Sequence, residues 1–145
     1  MLSVHELELR VGARLLMEGV SFRVDRGDKI GLVGRNGAGK TTLTKVLAGE
    51  LPPTDGKIER GGAIGYLPQD PGFQRGFSVF EFVDYVAILK EMTGRRERHE
   101  EVRRALEAVD LTSVSGKRVR ALSGGMKRRT ALAAALLGDP QFLVL

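Results

Sequence analysis

Apolar and polar positions change period several times along the chain. Val4, Leu7, Leu9 and Val11 alternate in part with polar residues and run into Gly12, and Val20-Ser21-Phe22-Arg23-Val24 alternates before the turn Asp25-Arg26-Gly27-Asp28. Both read as strands with one face covered. Lys29-Ile30-Gly31-Leu32-Val33 is apolar without alternation, which predicts a strand buried on both faces. After a Gly-rich stretch, Leu43, Val46 and Leu47 fall at helical spacing within Lys40–Ala48, and Gly49 supplies a stop. Pro52-Pro53-Thr54-Asp55-Gly56 reads as a turn, and Ile58 and Ile64–Leu67 as further strands.

The period then becomes helical. Ser78-Val79-Phe80-Glu81 fits a capping box, with Phe77 and Phe82 placed for a hydrophobic staple. The pattern predicts a helix from Val79 to about Met92, ended near Gly94. A second, from Arg96 to Val109, places Val102, Ala105, Leu106 and Val109 on one face and a Glu100–Arg104 pair on the other. A third follows Ser123 and stops at Gly138-Asp139-Pro140, before the apolar strand Phe142–Leu145. Strands, a loop, helices and a late apolar strand together predict an α/β core with a helical insert.

Composition narrows the chemistry. The 145 residues include no Cys, so disulfide scaffolds, thiolate metal sites and cysteine nucleophiles are excluded. The longest apolar run, Ala131–Leu137, is far too short to span a membrane, and the first residues lack the pattern of a signal peptide. A cytoplasmic protein is expected. A net charge of +5 permits an anionic partner, and the 19 glycines imply demanding backbone geometry.

Gly34-Arg35-Asn36-Gly37-Ala38-Gly39-Lys40-Thr41 matches the phosphate-loop pattern G-x-x-x-x-G-K-[ST], between an expected strand and an expected helix. Glycines let successive N–H groups converge on phosphate, and the helix that follows adds its positive end. In this pattern Lys40 pairs with the β and γ phosphates, Thr41 ligates Mg²⁺, and Thr42 reaches the α-phosphate. Tyr66-Leu67-Pro68-Gln69-Asp70 ends a strand in a polar loop. Leu122-Ser123-Gly124-Gly125-Met126 starts a helix with Ser123 as its cap.

In order and spacing these segments resemble the ABC-type ATPases over essentially the whole chain. The resemblance implies a P-loop NTPase core with N-terminal strands and a helical insert. Its divisions are a nucleotide-binding core at 1–77, a helical subdomain at 78–120, and a signature helix with the strand before the Walker B carboxylates at 121–145. Backbone groups of Asn36, Gly37, Ala38, Gly39 and Lys40 cradle the β-phosphate of ATP. Gln69 completes the Mg²⁺ shell with Thr41. Ser123, Gly124 and Gly125 act in trans on ATP held by a second nucleotide-binding domain, so a homo-oligomer is expected. In full-length form such a protein couples ATP hydrolysis to transport through a transmembrane subunit.

Three features depart from the pattern. The signature ends in Met126 where Gln is usual. Val11 stands where an aromatic often stacks on adenine. The chain stops at Leu145, before the Asp and Glu that hold metal and act as base, and neither His5 nor His99 stands at the switch position. The 145 residues alone are therefore expected to bind nucleotide with little or no hydrolysis, and the missing strand between Lys29–Val33 and Phe142–Leu145 leaves those two to pair directly, to recruit another chain, or to separate.

Residues 1 to about 65 resemble the ribosome-associated ABC-F proteins, and those from about Tyr66 onward resemble exporter ATPases. A chimera joined near Tyr66-Leu67-Pro68-Gln69 is one expectation, and a noncatalytic scaffold another. An ABC-F role would place Arg95, Arg96, Arg98, Lys127, Arg128 and Arg129 on a nucleic-acid surface, whereas such a run is more commonly a solvated helix face.

Overall fold

The computed structural model describes residues 1–68, 71–73 and 76–145. Two compact units divide the chain. Residues 1–64 form the first and residues 65–143 the second, with Val144 grouped with the first and Leu145 with the second.

In the first unit, β1 (Leu2–Val11) is the centre of a three-stranded antiparallel sheet. It is flanked by β2 (Arg14–Val24) and β3 (Asp55–Arg60). The partial alternation of β1 reflects its register. Val4 faces Phe22 on one side and Ile58 on the other, and shifts between Val4 and Leu7 and between Leu7 and Leu9 re-aim the side chains. As a result Leu2, Val4, Leu7 and Leu9 are all buried. At one bulge Glu6 adopts φ 47°, and its amide donates to Ser21 Oγ. Opposite it, a Cβ on Gly56 would stand 2.4 Å from the Glu6 carbonyl oxygen, so only glycine fits.

Helix α1 (Lys40–Ala48) buries Leu43, Val46 and Leu47, as its spacing predicts, and Gly49 caps it in the left-handed region. The Arg60 guanidinium reaches back from the end of β3 to the carbonyl oxygens of Leu47 and Val46, at 3.0 and 2.6 Å. It thereby satisfies the carbonyls that every helix leaves open at its C-terminus.

The expected doubly buried strand at Lys29–Val33 does not form. Residues 28–35 carry no regular structure, and Ile30, Leu32 and Val33 are 58%, 44% and 96% exposed. A strand needs a ladder partner, and no described strand pairs with this segment. The late strand β5 (Phe142–Val144) pairs instead with β4 (Ile64–Tyr66) in a separate two-stranded sheet. Direct pairing of β5 with residues 29–33 is therefore not observed.

The second unit is mainly helical. Helices α2 (Val79–Leu89), α3 (Arg95–Ala108) and α4 (Gly124–Leu136) surround a core that includes Phe82, Val83, Val102, Leu106, Leu111, Ala133 and Ala134. The capping box is present in full. Ser78 Oγ accepts from the Glu81 amide, and Glu81 Oε2 accepts from the Ser78 amide at 2.7 Å. Phe77 and Phe82 both join the helical core and each has a further aromatic neighbour. Phe82 tilts on Phe73 with ring centroids 4.7 Å apart, and Phe77 meets Tyr85 edge-on at 5.6 Å. The Glu100–Arg104 pair is also replaced: Glu100 pairs with Arg96, and Arg104 with Glu101. The i,i+3 partner Glu101 is the more buried carboxylate and sits closer to the bundle. Behind α4, Gly65 lies so close to the Ala135 carbonyl oxygen that a Cβ would stand 2.3 Å from it.

Candidate functional site

The loop from Gly34 to Gly39 precedes α1 and is almost entirely exposed. Gly37 (φ 78°) and Gly39 (φ 93°) occupy the left-handed region, which an L side chain rarely adopts. A Cβ on Gly39 would also press within 3.0 Å of Leu16 Cδ1. The Ala38 amide donates to the Arg35 carbonyl oxygen and tightens the turn. Gly39 then serves as the helix N-cap with no side chain to cap the first-turn amides, and no acidic residue lies in that turn. Such a helix start is a positive end facing outward, suited to an anion.

Lys40 adds a full charge to the same place. Its Nζ donates to the carbonyl oxygens of Gly34 and Arg35 at 2.5 and 2.9 Å and bridges the two ends of the loop. Thr41 is exposed and Thr42 half-buried in the first turn of α1. Their hydroxyls are hard oxygen donors at the place where the phosphates of a nucleotide would carry Mg²⁺, and an ion that keeps most of its ligands as phosphate and water asks little more of a protein. The residues present therefore fit the group. Gln69, the other expected Mg²⁺ contact, lies outside the described residues. Among the described residues no cluster of His, Asp and Glu suits a metal held by protein alone.

A second helix start carries the other motif. Ser123 caps α4, with its Oγ accepting from the Met126 amide at 3.3 Å. Gly124 and Gly125 are exposed, and a Cβ on either would meet nothing within 4 Å. Val11, at the expected base-stacking position, is 57% exposed at the end of β1.

The basic run is not a uniform solvated face. Arg98 is tied down by Asp84 Oδ1 at 2.7 Å and the Met92 carbonyl oxygen, and Arg129 by the carbonyls of Val109 and Asp110. Both hold elements of the second unit together. His99 is largely covered, lying between Asp84 and the ring of Phe80. The sequence reading missed Arg60, whose link to α1 spans more than ten residues and leaves no local pattern.

Comparisons with known proteins follow the same outline. A family model described as ABC transporter matches residues 17–145. An uncharacterized ABC transporter ATP-binding protein of Bacillus subtilis, YxlF, is 40% identical over all of this chain and 51% of its own length. A zinc import ATP-binding protein of Chromohalobacter salexigens, ZnuC, is 37% identical over all of this chain and 59% of its own. Among solved structures, cbiO1 of Clostridium perfringens, part of the transporter complex cbiONQ, superposes with a TM-score of 0.80 at 28% identity, over 98% of this chain and 63% of that one. The chain thus spans between half and two-thirds of the length of these relatives. The fold is that of the P-loop ATPase cassettes. Because a single match runs through Tyr66–Gln69 without interruption, the expected junction and the ABC-F origin of the first part find no support.

Proposed function

We propose, from the premise that this chain belongs to the ABC transporter family, that it supplies the ATP-binding portion of a transport ATPase working beneath a membrane-embedded partner. The observation that carries the reading is the exposed glycine loop feeding the uncapped, acid-free start of α1, with the Lys40 ammonium lying across it. Phosphate binding there replaces the two carbonyl contacts of Lys40 with a charge pair. Amides of residues 36–40 donate to the β-phosphate. Thr41 would hold Mg²⁺, with Gln69 the other expected ligand, Thr42 would meet the α-phosphate, and Mg²⁺ would offset phosphate charge.

The second half of the reading places Ser123, Gly124 and Gly125 against the γ-phosphate of ATP held by another copy. An exposed helix start whose glycines leave its backbone open is what such an approach requires. ATP then joins two cassettes, and their approach and separation move the transmembrane subunit. No described helix is long and apolar enough to cross a membrane.

Equilibrium dialysis against ATP, ADP and AMP tests the site. Retention of ATP and ADP with loss of AMP is expected, because the loop reads the β-phosphate. Equal retention of all three, or none, would overturn the reading.

A further inference from the structure

Helix α4 carries the Ser123–Gly125 turn at one end, yet the residues it buries fully are small: Thr130, Ala131, Ala133, Ala134 and Ala135. Small side chains make shallow ridges and interlock weakly along a helix axis. Met126, Leu132 and Leu136 add partly buried apolar contacts and Arg129 a mid-helix tie, and polar contacts at the C-terminal end further constrain where α4 stands.

At the C-terminal end two side chains from different helices converge on consecutive residues. Lys90, at the C-cap of α2, donates from Nζ to the Leu137 carbonyl oxygen at 3.1 Å. Glu101, in the middle of α3, accepts from the Gly138 amide at 3.0 Å. The Glu101 side chain is 12% exposed and also pairs with Arg104. Gly138, at φ 82°, turns the chain away at this point. Partial burial lowers the Lys90 pKa, while the Glu101 charge opposes that shift.

We propose that Lys90 and Glu101 are positioning residues for the signature turn. By fixing the C-terminal end of α4 against α2 and α3, they set where Ser123, Gly124 and Gly125 stand about 20 Å away along the helix. This rests on the reading of that turn as the part that acts in trans. Neither residue touches nucleotide. Loss of either loosens the C-terminal end of α4 against α2 and α3, while the fold and the glycine loop stay as they are.

The cysteine-free sequence permits a direct test. Spin labels on Arg96→Cys in α3 and Arg128→Cys in α4, both exposed positions, report the relative placement of the two helices in the whole chain. Glu101→Ala and Lys90→Met are expected to broaden or shift the distance distribution. Glu101→Gln, which keeps an oxygen for the Gly138 amide, is expected to stay near the parent. An unchanged distribution in Glu101→Ala and Lys90→Met, with only a lower melting temperature, would overturn the proposal and leave the contacts purely structural.

Mg-ATP-dependent self-association, measured in parallel by sedimentation, reads the consequence. Association is expected to weaken about tenfold in Glu101→Ala, the size of a usual coupling between sites, with nucleotide affinity of the single copy unchanged. A shifted distance with undiminished association would overturn the link to the turn. Absence of association in the parent chain as well would count against the in-trans reading itself, and the distance measurement would still decide the positioning role.

Discussion

Lys40 Nζ lies 2.5 Å from the carbonyl oxygen of Gly34, so the cation of the phosphate loop closes the loop on itself. The contact holds the ammonium over the start of α1, where the helix dipole and the uncapped amides already favour an anion. In the proposed reading, phosphate binding would exchange one set of oxygens for another at the same nitrogen.

Arg60 supports that arrangement from the far end of α1. Arg60→Ala removes two hydrogen bonds from a charged donor to the Val46 and Leu47 carbonyls, at a cost of about 1–3 kcal/mol. Urea unfolding followed by circular dichroism is expected to show the loss. Arg60→Lys, with one compact donor group in place of the planar fork, recovers part of it.

The capping box of α2 predicts a response to acid. Hydrogen bonds from the Ser78 backbone and side chain hold the Glu81 carboxyl below its ordinary pKa. The unfolded chain therefore binds the proton more readily. The stabilisation is complete above the unfolded value of about 4.3 and is lost as pH falls through the lower folded value. Urea midpoints from pH 6 downward are expected to fall in the parent chain and to fall less steeply below about pH 4.3 in Glu81→Gln. At neutral pH Ser78→Ala is expected to cost about 1 kcal/mol, through loss of the cap to the Glu81 amide.

Val33 distinguishes an open segment from a packed strand. At 96% exposure, Val33→Ser is expected to change stability by no more than about 0.5 kcal/mol, as surface substitutions do. A loss of about 2 kcal/mol in urea unfolding would show that Lys29–Val33 is buried in solution, as its apolar run predicts.

What the sequence revealed and what it concealed follow from the range of the interactions involved. Helix α1 was legible to the residue, because its apolar spacing and Gly49 are local signals, and so was the Ser78–Glu81 box. The placement of Lys40 near the loop carbonyls follows from a motif whose parts are neighbours in sequence. Lys29–Val33 was misread because apolar content reports a capacity for burial, whereas a strand also needs a partner edge, and β5 takes β4 as its own. Phe77 and Phe82 carried the right character for the core, whereas their ring contacts with Tyr85 and Phe73 follow from three-dimensional packing. Arg60, Lys90 and Glu101 left no trace because each acts on a backbone carbonyl or amide distant in sequence.

The central claim is that the loop at 34–41 binds nucleotide phosphate within these residues as folded here. Calorimetric titration of the chain with Mg-ATP, beside Lys40→Ala, tests it most directly. Saturable binding is expected, weakened about tenfold or more in Lys40→Ala by loss of a charged contact of about 1.5–3 kcal/mol, with circular dichroism unchanged. Equal binding by the parent and Lys40→Ala, or no binding by a parent chain that is fully folded, would contradict it.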